Sequence, residues 1–182
     1  MLRASAIAGA IALVGGGSMG SGTAVAAGGG CARAAAMADT TTLKPASDAV
    51  LCLVNRTRAM RGLAPVQASR QLKWSAAAHS RDMVFRQFFS HVSPGGLDAR
   101  QRILRSGYLR NRRGSKIGET IAWGTAGRAT PAGLMRSFMN SSAHRRVLLD
   151  RRYRDVGVGL ALGAPIGGAG AGATLTLDFG RR

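Results

Sequence analysis

Four side chains in this sequence could do chemistry together. Glu119 is the only glutamate among the 182 residues, and it lies in the mostly apolar stretch Gly118-Glu119-Thr120-Ile121-Ala122-Trp123-Gly124. The three histidines, His79, His91 and His144, fall on either side of it, each in a segment that reads as structured. Imidazole and carboxylate bind borderline divalent cations or pass protons near neutral pH, so their convergence would make a metal or acid/base site. Spacing alone leaves a second reading open, in which Glu119 caps or braces a local turn and the histidines sit apart.

The elements that must position these residues can be read from periodicity. Structure should begin near Pro45, with Ser47 capping a first helix; Val50, Leu53, Val54 and Thr57 recur at helical spacing, and Gly62 with Pro65 ends it. Asn55 and Arg58 then lie near one another on a different face. Ser69 starts a second helix on which Leu72, Ala76, His79 and Met83 form one stripe, so His79 points toward a core or a cleft. Histidine on such a stripe is more often a satisfied core residue than a ligand. Phe85, Phe88 and Phe89 lead into Ser90-His91-Val92-Ser93-Pro94-Gly95-Gly96, where proline and paired glycines force a turn and hold His91 at an apolar-to-loop junction.

Asp98 caps a short helix through Ile103 and Leu104 that ends by Gly107, and the basic run from Arg105 to Lys116 reads as a solvated loop before Glu119. Thr130-Pro131 starts a helix carrying Leu134 and Phe138 inward. Ser141 to Asp150, which contains His144, is a break followed by a further short helix. Val156, Val158, Leu160 and Leu162 alternate with small residues, as do Leu175, Leu177 and Phe179 with Thr174, Thr176 and Asp178. These two strands should pair across the glycine- and alanine-rich connection from Gly163 to Gly172.

One domain fits this length, and the roughly 135 residues after the N-terminal region can bury about two-thirds of their unfolded surface. Residues 1–26 read as a secretory signal: Arg3 gives a positive start, Ala4 to Val14 is a short apolar run, and Ala24-Val25-Ala26 offers a cleavage site. The run falls short of the about 20 residues a spanning helix needs, so no transmembrane anchor is expected and the mature chain should be secreted. Residues 27–45 read as a flexible lead-in. Cys31 within it and Cys52 in the first helix are expected to form a disulfide outside the cytoplasm, closing a loop worth about 3 kcal/mol in the chain-entropy account. Lipidation is the competing use of Cys31, and Gly28-Gly29-Gly30 lacks the apolar residue expected upstream of a lipidated cysteine.

Twenty-six basic residues against eight acidic ones give a formal charge of +18, and nearly all of the basic ones are arginine. Such a field draws an exported protein toward cell-envelope phosphates, acidic polysaccharide, anionic lipid or extracellular nucleic acid. The arginines are spread along the chain and aromatic residues are scarce, so a stacking platform is poorly supported and no specific nucleic acid is expected. Biased codon usage is the competing source of the alanine, glycine and arginine surplus.

The segments Ala77-Ala78-His79-Ser80-Arg81-Asp82-Met83, Phe88-Phe89-Ser90-His91-Val92-Ser93-Pro94, Gly118 to Gly124, Ser137-Phe138-Met139-Asn140-Ser141-Ser142-Ala143-His144-Arg145, Tyr153 to Gly159 and Asp178-Phe179-Gly180, taken together, resemble a bacterial CAP (SCP-like) domain. That is the superfamily of cysteine-rich secretory proteins, antigen 5 and plant pathogenesis-related proteins, and the resemblance covers 46–182. It implies an α+β fold, an α-β-α sandwich with a small antiparallel sheet between helices, and a cleft lined by histidine and glutamate. The motif histidines fall on His91 and His144 and the motif glutamate on Glu119, while His79 holds a helix position where many bacterial members carry histidine. Thr120 stands in place of the usual Asn, Phe138 of Trp, and Ala143 of the Gly before His144. The second glutamate of the eukaryotic tetrad has no counterpart.

Two functions follow as expectations. In the first, the protein is an exported binding module without turnover, as the resemblance implies for most members, which bind lipids, sterols, polysaccharides or proteins through cleft and loops. Its partner is then an anionic cell-envelope polymer or lipid, or a host or other protein, met by a monomer, and no cofactor is required. In the second, His91 and His144 hold zinc or another divalent cation, Glu119 orients or deprotonates a bound water, and the protein is a metal-dependent hydrolase. Its first shell is thin unless His79 joins it.

Overall fold

The computed structural model describes residues 30–109, 114–167 and 171–182. The secretory signal read at 1–26 lies outside the described residues, as do 110–113 of the basic run and 168–170 of the last connection. The first helix, α1 (Leu43–Ala59), starts upstream of Pro45, and Ser47 does not cap it. Its entry is organised by Asp39, whose Oδ1 accepts from the amides of Thr41 and Thr42 at 2.8 and 2.9 Å while Thr42 Oγ1 accepts from the Asp39 amide at 2.8 Å. Pro45 then falls in the first helical turn, where its missing N–H has no intrahelical partner to lose. Ser47 Oγ donates instead to the Leu43 carbonyl at 2.9 Å, inside the helix. The lead-in is tied to the body at two points, the Cys31–Cys52 disulfide with Cα atoms 5.7 Å apart and the bond from the Ala132 amide to the Ala34 carbonyl at 2.8 Å.

After α1 come β1 (Gln67–Ala68), α2 (Arg70–Arg86), α3 (Ala99–Arg105), β2 (Lys116–Thr125), a 3-10 turn (Ala126–Ala129), α4 (Pro131–Asn140), α5 (Ser142–Leu148), β3 (Asp155–Leu162) and β4 (Gly172–Arg181). Local cap chemistry explains the starts. Ser69, Asp98, Thr130 and Ser141 each accept a bond from an amide in the turn they precede, and Asp98 forms a full capping box with Gln101.

The strands make one sheet in the order β1-β3-β4-β2, antiparallel except for β1, which lies parallel to β3. Two exposed residues carry no alternation, so β1 leaves no mark in the sequence. The stretch holding Glu119 is strand β2 rather than a turn, and it pairs along its whole length with β4.

Alternation along β3 and β4 builds the two faces. Val156, Val158, Leu160, Leu175, Leu177 and Phe179 join residues of α1 and α4 in the main core. Gly157, Gly159, Thr174, Thr176 and Asp178 face α2 on the other side. A Cβ on Gly157 or Gly159 would meet the α2 backbone at Leu72 or Ala76 at 2.0 or 2.1 Å, so the absence of side chains there lets the helix lie directly on the strand. Ser80 Oγ fastens it by donating to the Gly159 carbonyl at 2.8 Å. The product is the α-β-α sandwich, with α2 on one face and α1 and α4 on the other.

Arg58, expected near Asn55 on a face apart from the apolar stripe, is an interior residue. It is fully buried and donates to the carbonyls of Ala64, Leu148 and Asp150 at 3.0, 2.7 and 3.2 Å, while Asn55 brackets Val66 through both its backbone groups. Among the described residues no helix is long and apolar enough to cross a membrane.

Candidate functional site

Glu119 sits on the edge strand β2, opposite Asp178 of β4 and on the α2 side of the sheet. Its side chain is 2% exposed, and each of its oxygens has a partner: Oε1 accepts from His91 Nδ1–H at 2.7 Å and Oε2 from Arg102 Nη2 at 2.6 Å. Arg102, on α3 and 8% exposed, also donates to the carbonyls of Leu97 and His91 at 2.7 and 3.0 Å. One guanidinium thus holds the carboxylate and both ends of the turn that carries His91. Burial by itself would raise the pKa of Glu119; the hydrogen bond from His91 and the charge of Arg102 outweigh it and hold the carboxyl below its ordinary range.

His79 is buried on α2, and its Nε2 donates to the Ser90 carbonyl at 2.9 Å. A carbonyl only accepts, so Nε2 carries the proton and the neutral ring leaves Nδ1 as an unpartnered acceptor. Burial, against the pull of Glu119, depresses its pKa and keeps it neutral at pH 7. His79 therefore anchors the residue before His91. His144 lies on α5, half-buried, edge-on to Phe138 with ring centroids 5.3 Å apart. Burial first, and then the electrostatic influence of nearby His91, depress its pKa. The structure thus joins Glu119 to His91 directly, places His79 behind them through one backbone carbonyl, and sets His144, on α5, within electrostatic range of His91. Among the described residues no three His, Cys, Asp or Glu side chains converge as a metal-holding group.

Sequence reasoning missed two members of this centre. Arg102 hides in a run of arginines, and its role depends on a partner across the fold. Asp178 follows Thr174 and Thr176 on the α2 face, so the alternation does place an acid inward, and the register sets it against Glu119. It is fully buried with neither oxygen hydrogen-bonded, and burial followed by the negative charge of Glu119 raises its pKa well above the ordinary value. Ser75 Oγ of α2, also buried and unpartnered, faces it. The register thus sets an acid whose pKa is raised beside one whose pKa is lowered.

Two concavities open on the α2 side. One of about 430 Å³ is lined by Trp74, Ser75, His79, Ser93 and Arg102, among others, and a second of about 610 Å³ adjoins it across Trp74 and Arg105. His91, Glu119 and His144 line neither.

Comparison with known proteins places this architecture. A model of the cysteine-rich secretory protein family (CAP) matches residues 51–170. YkwD of Bacillus subtilis (strain 168) is 33% identical over 128 residues, which is 66% of this chain and 46% of YkwD. The membrane protein YlbC of the same organism is 34% identical over 114 residues, 61% of this chain and 30% of YlbC. The chain thus spans less than half the length of these curated relatives. Among solved structures, an extracellular protein containing an SCP domain from Bacillus anthracis str. Ames superposes with a TM-score of 0.57 at 25% identity, over 73% of this chain and 39% of that one. An outer surface protein from Borrelia burgdorferi gives 0.64 at 16% identity over 80% and 97%, a likeness of fold alone.

Proposed function

Because this chain belongs to the cysteine-rich secretory protein family, we propose that it is an exported binding module acting at the cell envelope or outside the cell, without turnover, and that its ligand is an anionic envelope polymer. The observation that carries this reading is the occupancy of Glu119. With Oε1 held by His91, Oε2 by Arg102 and the side chain only 2% exposed, the carboxylate is committed to the fold rather than presented to a bound water, so it acts as a brace for the His91 turn. Export is supported by the signal-like residues 1–26, by the disulfide, and by the extracellular description of the Bacillus anthracis relative. The ligand class is supported by the charge of +18.

The metal-dependent hydrolase is less well supported by the donor set. With Nδ1 of His91 on Glu119, its Nε2 and the ring of His144 offer two nitrogen donors, whereas catalytic zinc takes three protein ligands. Such a pair would hold a cation loosely. Elemental analysis of the purified mature protein beside a His91→Ala, His144→Ala double variant tests it; metal in the parent that the variant lacks would restore the hydrolase reading. The binding reading is tested by co-sedimentation with purified cell-wall polymer and with anionic vesicles over a salt series. Pelleting with the polymer that weakens as salt rises is expected, and no binding to any envelope component at low salt refutes it.

A further inference from the structure

The eight acidic residues are all committed within the fold. Asp39 organises the entry of α1 and Asp98 caps α3; Asp48, Asp82 and Asp150 pair with Lys44, Arg86 and Arg152; Glu119 is held by His91 and Arg102; Asp155 accepts from Tyr108; and Asp178 is buried. Among the described residues most of the bases therefore have no internal counterion. Where they gather beside an exposed aromatic surface, the chemistry becomes specific. On the α2 side, Arg70, Arg105 and Arg182 line the larger concavity with no acidic side chain among its lining residues, and Asp82, which lines the adjoining one, is paired with Arg86. Arg182 is held in place by its guanidinium lying over the Tyr108 ring at 4.7 Å, with Asp155 at 3.9 Å giving only a weak pairing. Trp74, 57% exposed, forms the saddle between this concavity and the one beside His79 and Arg102, and Arg105 lines both.

We propose that this continuous groove is a binding subsite for a strand of acidic polysaccharide, with a sugar ring stacked on the Trp74 indole and the acidic groups on either side of it held by Arg70, Arg105 and Arg182. Arginine's planar fork matches carboxylate and phosphate oxygens two at a time, which fixes position as well as charge. The indole supplies a rigid apolar face for the C–H side of a sugar ring at little entropic cost. The groove has one exposed ring, since Tyr108 is buried and covered by Arg182. A single-stranded nucleic acid would need a succession of such platforms for successive bases, so the polysaccharide fits better. The subsite rests on the anionic-polymer reading above and gives it a location.

The test measures binding of polygalacturonate, and in a second arm of a polyol-phosphate polymer, to the mature protein by calorimetry between 50 and 300 mM salt (roughly one Debye length of about 14 to 6 Å). Variants are Trp74→Ala, an Arg70→Gln, Arg105→Gln pair, and a control pair, Arg56→Gln with Arg136→Gln, which removes the same charge from α1 and α4 on the opposite layer. All are at exposed positions. At least a tenfold loss is expected for Trp74→Ala with the salt dependence unchanged, and at least a tenfold loss for the groove arginines with a shallower salt dependence, against less than twofold for the control. Binding of polygalacturonate is expected, and binding of the polyol-phosphate polymer alone, which has no sugar ring to stack on Trp74, would overturn the subsite. Equal losses in groove and control pairs with Trp74→Ala unaffected would overturn the subsite while leaving polyanion binding intact, whereas no binding by the parent in either arm at low salt would overturn both. An oligothymidylate that competes fully and depends equally on Trp74 would reassign the groove to nucleic acid.

Discussion

Replacing Arg102 by methionine removes the cation that Glu119 depends on while keeping most of the volume. The two side chains are 8% and 2% exposed with 2.6 Å between nitrogen and oxygen, so the pair is buried, and breaking a buried pair by deleting one partner costs about 3–5 kcal/mol. The lower end applies, because His91 Nδ1 still donates to Oε1 and the bonds to the carbonyls of His91 and Leu97 are only part-buried, within reach of a replacing water. A loss of about 3 kcal/mol lowers Tm by about 6–12 °C for a domain of this size. The charge itself is isolated by the double variant Arg102→Met, Glu119→Gln, in which no buried anion remains; it should regain at least about 1.5 kcal/mol over the single variant, because replacing both partners of a buried pair costs far less than removing one. Acid titration adds an independent check. The folded pKa of Glu119 lies below the ordinary 4.5, so its contribution is complete above 4.5 and is lost as pH falls toward the folded value. That acid limb should flatten in the Arg102→Met protein. Urea and thermal melts by circular dichroism at pH 7 and across the acid range supply every quantity. A single variant within about 1 kcal/mol of the parent, or a double variant that melts no higher than the single, would refute the claim that Arg102 neutralises a buried charge.

Asp178→Asn should stabilise the protein at pH 7 by about 1–2 kcal/mol, because the parent's raised pKa means that folding loses stability as pH rises from 3.8 toward the folded value and the amide has no such ionisation; equal pH profiles for the two proteins would count against it. Gly159→Ala should cost about 3 kcal/mol or more, since its Cβ would lie 2.1 Å from the α2 backbone, whereas Gly95→Ala, with nothing within 4 Å, should stay within about 0.5 kcal/mol. Similar melting points for the two alanine variants would mean that α2 does not lie on β3 as described. Reducing the Cys31–Cys52 bond, or replacing both cysteines by serine, should cost about 3 kcal/mol, read as a Tm difference with and without reductant.

Helix starts were legible because their chemistry is local: Ser69, Asp98, Thr130 with Pro131, and Ser141 each act within three residues of themselves. The hairpin of β3 and β4 was legible because valine and leucine alternate with glycine and threonine. β2 was not, because Ile121-Ala122-Trp123 presents apolar residues to both faces and loses the alternation on which strand recognition depends. Of the candidate site, the sequence offered convergence of Glu119 with the histidines as one of two readings, without saying which pair would bond. The Arg102 clamp and the Glu119–Asp178 pairing were out of reach, since one spans 17 residues to a strand not yet identified and the other depends on a register set by packing over the whole chain. Ser47 misled for a simple reason: a serine ahead of an apolar repeat looks like a cap, and only the turn at Asp39 shows that the helix has already begun.

The buried guanidinium of Arg58 bears on the order in which the molecule assembles. Two of its three acceptors, the carbonyls of Leu148 and Asp150, lie 90 and 92 residues further along the chain. Until that distant turn is delivered, folding α1 into its final place would strand a cation in an apolar layer, so a docked α1 is unfavourable in any partly folded species that lacks the α5–β3 turn. Closing so long a loop is slow compared with forming α1 or the β3–β4 hairpin. The first helix, although synthesised earliest, is thus among the last parts to be seated, and its arrival marks the commitment of the chain to the native state.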